Sequence, residues 1–388
     1  MRIAIACDYI ASYEDNSVLK SIHEIFPKAK IYTAQCETEN LPDWLKSANL
    51  EIGWPQKLSP HPKKWLTLFR QAYFKNLKIY NCDLLITISE TEAKSIKKGS
   101  ALHICYCKNP STLYWSLYDD YSADPGYGKL NNFVRAFTKF FIKPFRKIDF
   151  SAAKNVDYFL VPSSYSQKQL KKYYKRGSII LAPPVPVENF CTGNFSTTKT
   201  AIKQEKSQGK KEENKTINNE KRQGYIVATR QILTSRLDLA VKSCLSLNEP
   251  LTLVGDGPEH SRLKKFVRKN PLVTFLPPLN DKTLKTYFEN SKAYLSPGLS
   301  PFDSDSIKAL ASGCPVISYS KGGAIDYLVD GENGILFNNQ SAQSLTAAIK
   351  KFKSKTFSEN LIKKSTTQFS ETVFKNNFKL FLRKVLKF

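Results

Sequence analysis

Short apolar runs alternate along this chain with segments whose apolar residues recur at helical spacing, and no other feature constrains the fold as strongly. In the first half the runs are Arg2–Ala6, Lys30–Thr33, Asp83–Ser89, Leu102–Cys107, Val156–Pro162 and Ile179–Leu181. Most are apolar along much of their length, the pattern of strands buried on both faces of a parallel sheet. A helical segment, Val18–Phe26, separates the first two, and another running through Tyr173 has Ser163 and Ser164 as candidate caps. A second series begins with Tyr225–Ala228 and continues through Leu251–Gly255, Val273–Leu276, Ala293–Ser296 and Pro315–Tyr319. Its helices are expected at Leu237–Leu247, from Pro258, at Leu284–Asn290 and at Asp305–Ser312. Parallel strands need crossover helices, so each series predicts a doubly wound α/β domain, with ligands at the carboxyl ends of the strands in a cleft between the two.

Between the series, from Cys191 to Gly224, the chain turns to Lys, Gln, Glu, Asn and Thr, with little apolar beyond Phe195, Ala201, Ile202 and Ile217. Such a stretch buries too little to order itself and reads as a disordered linker or insertion. The expected organisation is a first domain over 1–190, a linker over 191–224, a second domain over 225–372 and a closing helix over 373–388. At 388 residues with 41% hydrophobic content, two packed cores fit and global disorder does not. No uncharged apolar run approaches a membrane span, and the first ten residues do not read as a signal peptide, so a cytoplasmic location is expected.

Eight cysteines spread over nearly the whole length read as reduced thiols of the core. His103, Cys105 and Cys107 alternate along one strand face and leave two readings, core packing or three ligands of a zinc site that lacks a fourth; no metal is expected. The 59 Lys and Arg outnumber the 34 Asp and Glu, a formal charge of +25 that calls for an anionic partner. No helix-turn-helix, zinc or RNP signature accompanies that charge, so nucleic acid is not expected to be the partner. Two segments interleave it with aromatics. In Lys129–Lys147, Phe133, Phe137, Phe140 and Phe141 fall on one helical face, and Arg135, Lys139, Lys143 and Arg146 lie roughly opposite. Pro62–Tyr80 carries Lys63, Lys64, Trp65, Phe69, Arg70, Tyr73, Phe74, Lys75 and Lys78. Both are expected to lie on an anionic membrane surface, the alternative being helices packed on the first domain.

The second half contains VGDGPEHSRLKK (from Val254), TFLPPLNDKTLKTYFENSKAYLSPG (from Thr274), ALASGCPVISYSKGGAIDYLVDGENGILF (from Ala309) and FSETVF (from Phe369). The first half has DYI after its first strand, CDLLITISETEAKSI, LHICYCKNP, SAAKNVDYFLVPSSYSQKQLKKYY and LAPPVPVENF. In this order the set resembles the retaining glycosyltransferases of the GT-B fold, family 4 (group 1), in the mannosyltransferase-like branch that builds lipopolysaccharide and exopolysaccharide. The resemblance implies two Rossmann-like domains and transfer of a hexose, with mannose a candidate, from a GDP- or UDP-linked sugar to a lipid-linked or polysaccharide acceptor. It implies no cofactor or metal, and a peripheral position at the inner face of the membrane.

The family grips the donor diphosphate with an Arg and a Lys after the first strand of the second domain. Arg230 matches the first; Ser235 stands at the second, with Arg236 beside it. The family's two donor glutamates fall on Ser300 and Lys308, and Asp303 and Asp305 are out of register. The glycine loop after strand one reads Glu14, Asp15 and Asn16, and the family's first-domain histidine matches Lys108. Base and ribose would lie near Leu279 and Lys308. Ser304, Asp305 and Ser306 read either as caps of the following helix or as donors to a phosphate, and Gly255 either as a strand-to-helix turn or as a ligand contact. Because five family positions differ, a catalytically inactive relative that binds glycan or scaffolds an active partner stays open beside the enzyme.

Overall fold

The computed structural model describes residues 1–11, 16–39, 41–62, 66–123, 131–191 and 222–386. The chain divides into two compact units, 1–183 with 375–388, and 184–374. The stretch 192–221, which holds most of the expected linker, lies outside the described residues.

The first unit is built on seven parallel strands: β1 (Ile3–Cys7), β2 (Lys30–Thr33), β3 (Leu50–Ile52), β4 (Leu84–Ile88), β5 (Leu102–Tyr106), β6 (Tyr158–Val161) and β7 (Ile179–Ile180), in the spatial order β3-β2-β1-β4-β5-β6-β7. Its main helices are α1 (Ser17–Ile25), α2 (Thr67–Asn76), α3 (Asn131–Lys154) and α4 (Ser164–Tyr174). The strands follow from the apolar runs. β4 is buried at every position but its last, which leaves no exposed face for alternating polar residues. β3 is the exception: three residues long and half-buried throughout at the sheet edge, it leaves no such run. Ser163 caps α4 by accepting from the Ser166 amide, 3.2 Å away. The closing helix, Glu371–Leu386, sets Phe381 edge-to-face against Tyr158 of β6.

The second unit repeats the plan with six parallel strands: β8 (Tyr225–Ala228), β9 (Leu251–Val254), β10 (Val273–Leu276), β11 (Ala293–Ser296), β12 (Val316–Tyr319) and β13 (Gly334–Phe337), ordered β10-β9-β8-β11-β12-β13. Its helices include α5 (Leu237–Ser246), α6 (His260–Val267), α7 (Asp281–Asn290) and α8 (Ser304–Ala311). Three of these starts differ from the sequence expectation, each for a local reason. Gly255 and Gly257 adopt φ of +119° and +155°, and a Cβ on Gly257 would lie 2.4 Å from the Gln231 carbonyl, so the turn runs on and α6 begins at His260 rather than Pro258. Asn280 caps α7 through the Thr283 amide at 2.9 Å, which starts that helix at Asp281 rather than Leu284. The cap of α8 is Asp303, and Ser304, Asp305 and Ser306 form its first turn.

His103, Cys105 and Cys107 are fully buried. His103 Nε2 lies 2.9 Å from the Thr87 hydroxyl, and the Cys105 thiol points at the Ser89 carbonyl. Cys105 and Cys107 pack with Ala153, Val156, Phe159 and Leu170, so these residues serve the core. Burial pushes the Cys105 thiol up to about 12, far from the thiolate that ligates a metal. Among the described residues no group of three His, Cys, Asp or Glu side chains is arranged to hold a metal ion.

Candidate functional site

In a doubly wound sheet the strand order reverses at one point, where neighbouring crossovers leave in opposite directions and open a crevice at the carboxyl ends of the strands. In the second unit that point lies between β8 and β11. A cavity of about 290 Å³ sits there, lined by Thr229, Ser235, Ser296, Gly298, Ser300 and Asp305 among others. Glycine is needed at 298, because a Cβ would lie 2.7 Å from the Thr234 carbonyl and 2.9 Å from Ser235 Cα.

The amino terminus of α8 faces this cavity through Ser304 and Asp305, and its electrostatics are set from within. Asp303 Oδ1 accepts from the amides of Asp305 and Ser306, each at 3.2 Å. Its Oδ2 accepts from the Ser296 and Ser306 hydroxyls at 2.7 and 2.6 Å. The carboxylate thus occupies two of the amides that a helix start leaves free, and it braces β11 against α8. Asp303→Ala should lower stability by about 1–2 kcal/mol, the usual cost of a lost cap, and leave two serine hydroxyls unpaired. Urea unfolding followed by circular dichroism measures this; a change below about 0.5 kcal/mol would contradict the bracing role.

Ser235, Ser300, Ser304 and Asp305 line the one cavity, and Ser235 Oγ donates to the backbone carbonyl of Arg230, whose own side chain is exposed and is not part of the lining. Ser306 turns its hydroxyl to Asp303. Arg236, left-handed at φ 49°, pairs with Asp238 at 3.1 Å. Lys308 lies 3.2 Å from Asp305 and 3.7 Å from Asp281, with its ammonium over the Phe190 ring. Neither Arg236 nor Lys308 lines the cavity. Gly255 follows β9 and Leu279 follows β10 at the same end of the sheet, also outside the lining. Ser296 and Gly298 escaped the sequence reading, and Asp303 entered it only as out of register, although all three sit at or just past the end of β11, where the switch point puts a site.

The first unit has its own switch point, between β1 and β4, and a cavity of about 200 Å³ there. Asn16 and Lys108 line it; Glu14 and Asp15 lie outside the described residues. Its polar floor comes from Asp8, Arg70 and Glu92, which sequence reasoning did not single out as site residues. Asp8, directly after β1, accepts from the amides of Glu90, Thr91, Glu92 and Ala93 at 2.7–3.1 Å and from the Ser89 hydroxyl at 2.6 Å, fixing the loop that follows β4. Arg70 reaches Glu92 at 3.0 Å, Gln35 at 3.2 Å and Thr67 at 3.0 Å. Burial pushes the Glu92 carboxyl up to about 7 against the pull of Arg70.

Helix α3 carries Arg135, Lys139 and Lys143 exposed, with Phe140 at 77% exposure. Phe141 stacks on Phe145, and Phe145 on Tyr114, so part of the aromatic face packs inward. The side chains of Phe133 and Phe137 lie outside the described residues. The second aromatic-basic segment is corrected: α2 buries Arg70, Tyr73 and Phe74 against the first unit's core, so those residues do not face a lipid surface. Lys63, Lys64 and Trp65 of that segment lie outside the described residues. Among the described residues no helix is long and apolar enough to cross a membrane.

Residues 209–368 match the family model "Glycosyl transferases group 1", a span that contains the second unit's cavity and its lining. No curated protein matches the chain. Among solved structures, sucrose-phosphate synthase from Thermosynechococcus elongatus aligns over 100% of both chains at 14% identity, with a TM-score of 0.73. Anabaena HepE in complex with UDP-glucose aligns over 99% of this chain and 100% of its own at 12% identity and a TM-score of 0.65. WaaG, a glycosyltransferase involved in lipopolysaccharide biosynthesis, aligns over 96% of this chain and 95% of its own at 12% identity, with a TM-score of 0.60. At such identities the likeness is one of fold. Two parallel-sheet α/β units of GT-B type, the second carrying the family match, make 209–368 a glycosyl transferases group 1 domain.

Proposed function

We propose that the chain is a glycosyltransferase that moves a hexose from a GDP- or UDP-linked sugar to a lipid-linked or polysaccharide acceptor in cell-surface glycan synthesis, working without a metal or other cofactor. The observation that carries the reading is the coincidence of the group 1 match with a hydroxyl-rich cavity at the second sheet's switch point. The hydroxyls of Ser235, Ser296, Ser300 and Ser304, together with Asp305, suit the many hydroxyls of a ribose and a hexose. Arg230, exposed and joined to the cavity through the bond from Ser235 to its carbonyl, would supply the guanidinium for the diphosphate. Arg236 and Lys308, each held by a carboxylate, would tune the field around it rather than grip it.

The acceptor would meet the first unit, at the cavity lined by Asn16 and Lys108, with α3 resting on the inner membrane face. HepE, solved with UDP-glucose, and WaaG, a lipopolysaccharide enzyme, supply the analogy for donor and acceptor classes. Calorimetric titration with UDP, GDP, UDP-glucose and GDP-mannose tests the donor side. One nucleotide should bind in the micromolar range, and Arg230→Ala should weaken it roughly ten- to hundredfold, the worth of a charge-assisted phosphate contact. No binding to any of the four would overturn the reading. Binding without transfer or hydrolysis of the sugar would favour the catalytically inactive scaffold.

A further inference from the structure

Helix α4 buries Ser166, Leu170 and Tyr174 on one side and carries Lys168, Lys171 and Lys172 on the opposite side at i, i+3 and i+4, with Lys175, the left-handed residue just past its end, completing the group. All four lysines are exposed and together line a shallow depression of about 520 Å³. No acidic residue occurs between Ser164 and Lys175, and among the described residues none of the four has a carboxylate in ion-pairing reach. Like charges at these spacings repel, so the stripe costs the isolated helix stability, whereas Lys363, on another surface helix, is offset by Glu359 one turn away.

The stripe is continuous with α3. Lys172 sits over the Tyr173 ring at 5.0 Å, Tyr173 stacks on Trp115 at 5.1 Å, and the Arg146 guanidinium of α3 covers Trp115 at 5.3 Å. Beyond α4, Arg176 donates to the carbonyls of Ala153 and Val156 at 3.2 and 2.6 Å, which pins the carboxyl end of α4 to that of α3. Pro144 divides α3, whose carboxyl half thus shares a packed unit with α4 and whose amino half carries Lys139, Lys143 and the bare ring of Phe140.

We propose that the four lysines of α4 form the principal binding surface of the first unit for the phosphate headgroups of an anionic lipid bilayer, with α3 and Phe140 as its insertion edge. The inference rests on the acceptor-side, membrane-facing reading of that unit and gives its contact surface. An exposed phenylalanine on the helix joined to a basic stripe is a combination that a headgroup layer satisfies, charge at the surface and an apolar ring at the acyl boundary. A soluble phosphate or a nucleic acid would leave the ring without a role.

The test is flotation of the full chain with phosphatidylcholine vesicles, with and without phosphatidylglycerol. Binding should require the anionic lipid and weaken steeply with added salt. Since each lysine near such a surface is worth roughly fivefold in affinity, the combined Lys168→Ser, Lys171→Ser, Lys172→Ser, Lys175→Ser variant should lose at least about fiftyfold. Its circular dichroism spectrum and its UDP or GDP titration should match the parent, and Phe140→Ser should lose less than the lysine variant. Parent-like flotation of the lysine variant would overturn the proposal. So would saturable inorganic pyrophosphate binding that the four substitutions abolish while flotation persists, or tighter binding to a duplex oligonucleotide than to the vesicles. A chain that floats as expected but binds no nucleotide would overturn the donor reading alone.

Discussion

Lys94→Met should lower the unfolding free energy by about 3–5 kcal/mol, the cost of stranding one partner of a buried ion pair. The Lys94 side chain is 0% exposed and that of Asp149 2%, with Nζ to Oδ1 at 2.7 Å. The ammonium also donates to the Glu90 carbonyl at 2.6 Å. Asp149 Oδ2 accepts from Trp115 Nε1 at 2.7 Å and from the Tyr174 hydroxyl at 2.8 Å. Burial works against the Lys94 charge, and Asp149 outweighs it, holding the amine above the ordinary lysine range. Methionine fills the stem but leaves the carboxylate dry and short of its counter-charge. Lys94→Met with Asp149→Leu should recover about half of the loss, because the stranded charge disappears while Trp115 and Tyr174 still lack an acceptor. Urea denaturation of the parent, the single and the double variant checks this. A single variant within about 1 kcal/mol of the parent would show the pair to be wet.

That pair also marks where the sequence stops being readable. Strands buried on both faces, such as Tyr225–Ala228 and Ala293–Ser296, write themselves as short apolar runs, and the partly exposed Lys30–Thr33 and Val273–Leu276 also fall where the alternation with helical segments puts them. Cavity-lining positions at the strand ends can be placed coarsely, since a switch point follows from strand order. Which polar residues meet across distance is not written locally. Arg70 and Glu92 are 22 residues apart, Trp115 and Asp149 are 34 apart, and nothing near either pair marks them as partners. Arg70 therefore reads as part of a basic surface when it is the buried partner of a carboxylate. Asp303 reads as displaced by register when its place is the helix cap, fixed by two amides and two hydroxyls that only the fold assembles.

Two of these buried groups should make stability depend on pH in opposite senses. Glu92, raised to about 7 from 4.5, holds its proton more tightly in the folded chain. Its contribution is fully present below pH 4.5 and is lost as pH rises through 7, a change of roughly 3 kcal/mol. His103, lowered to about 3 from 6.5 by burial and then by Lys98, is kept neutral in the fold. Its contribution is present above pH 6.5 and is lost as pH falls toward 3. His23, lowered by burial, acts in the same sense as His103. Between pH 4.5 and 6.5 the opposing slopes cancel, and the parent should be nearly flat there. The salt-bridged carboxylates with lowered values, Asp157, Glu249 and Asp330, lose their contributions only as pH falls below the ordinary carboxylate range, so they act beneath that window.

Removing one of the two groups should unmask the other. In Glu92→Gln the glutamine still offers Arg70 an oxygen but no longer titrates, so His103, joined by His23, sets the slope. The unfolding free energy of that variant should rise by about 2 kcal/mol from pH 4.5 to 6.5, at up to about 1.4 kcal/mol per pH unit. His103→Gln should show the reverse, a loss over the same range, because Glu92 is then opposed only by His23. Urea unfolding at pH 4.5, 5.5 and 6.5, with each variant referred to its own value at pH 4.5, separates these slopes from any uniform destabilisation by the substitution. A Glu92→Gln profile as flat as the parent's would show that the carboxyl beside Arg70 keeps an ordinary affinity for its proton. Glu92 in the floor of the first unit's cavity would then carry its negative charge at neutral pH instead of being poised near 7, and an anionic group would be disfavoured beside it.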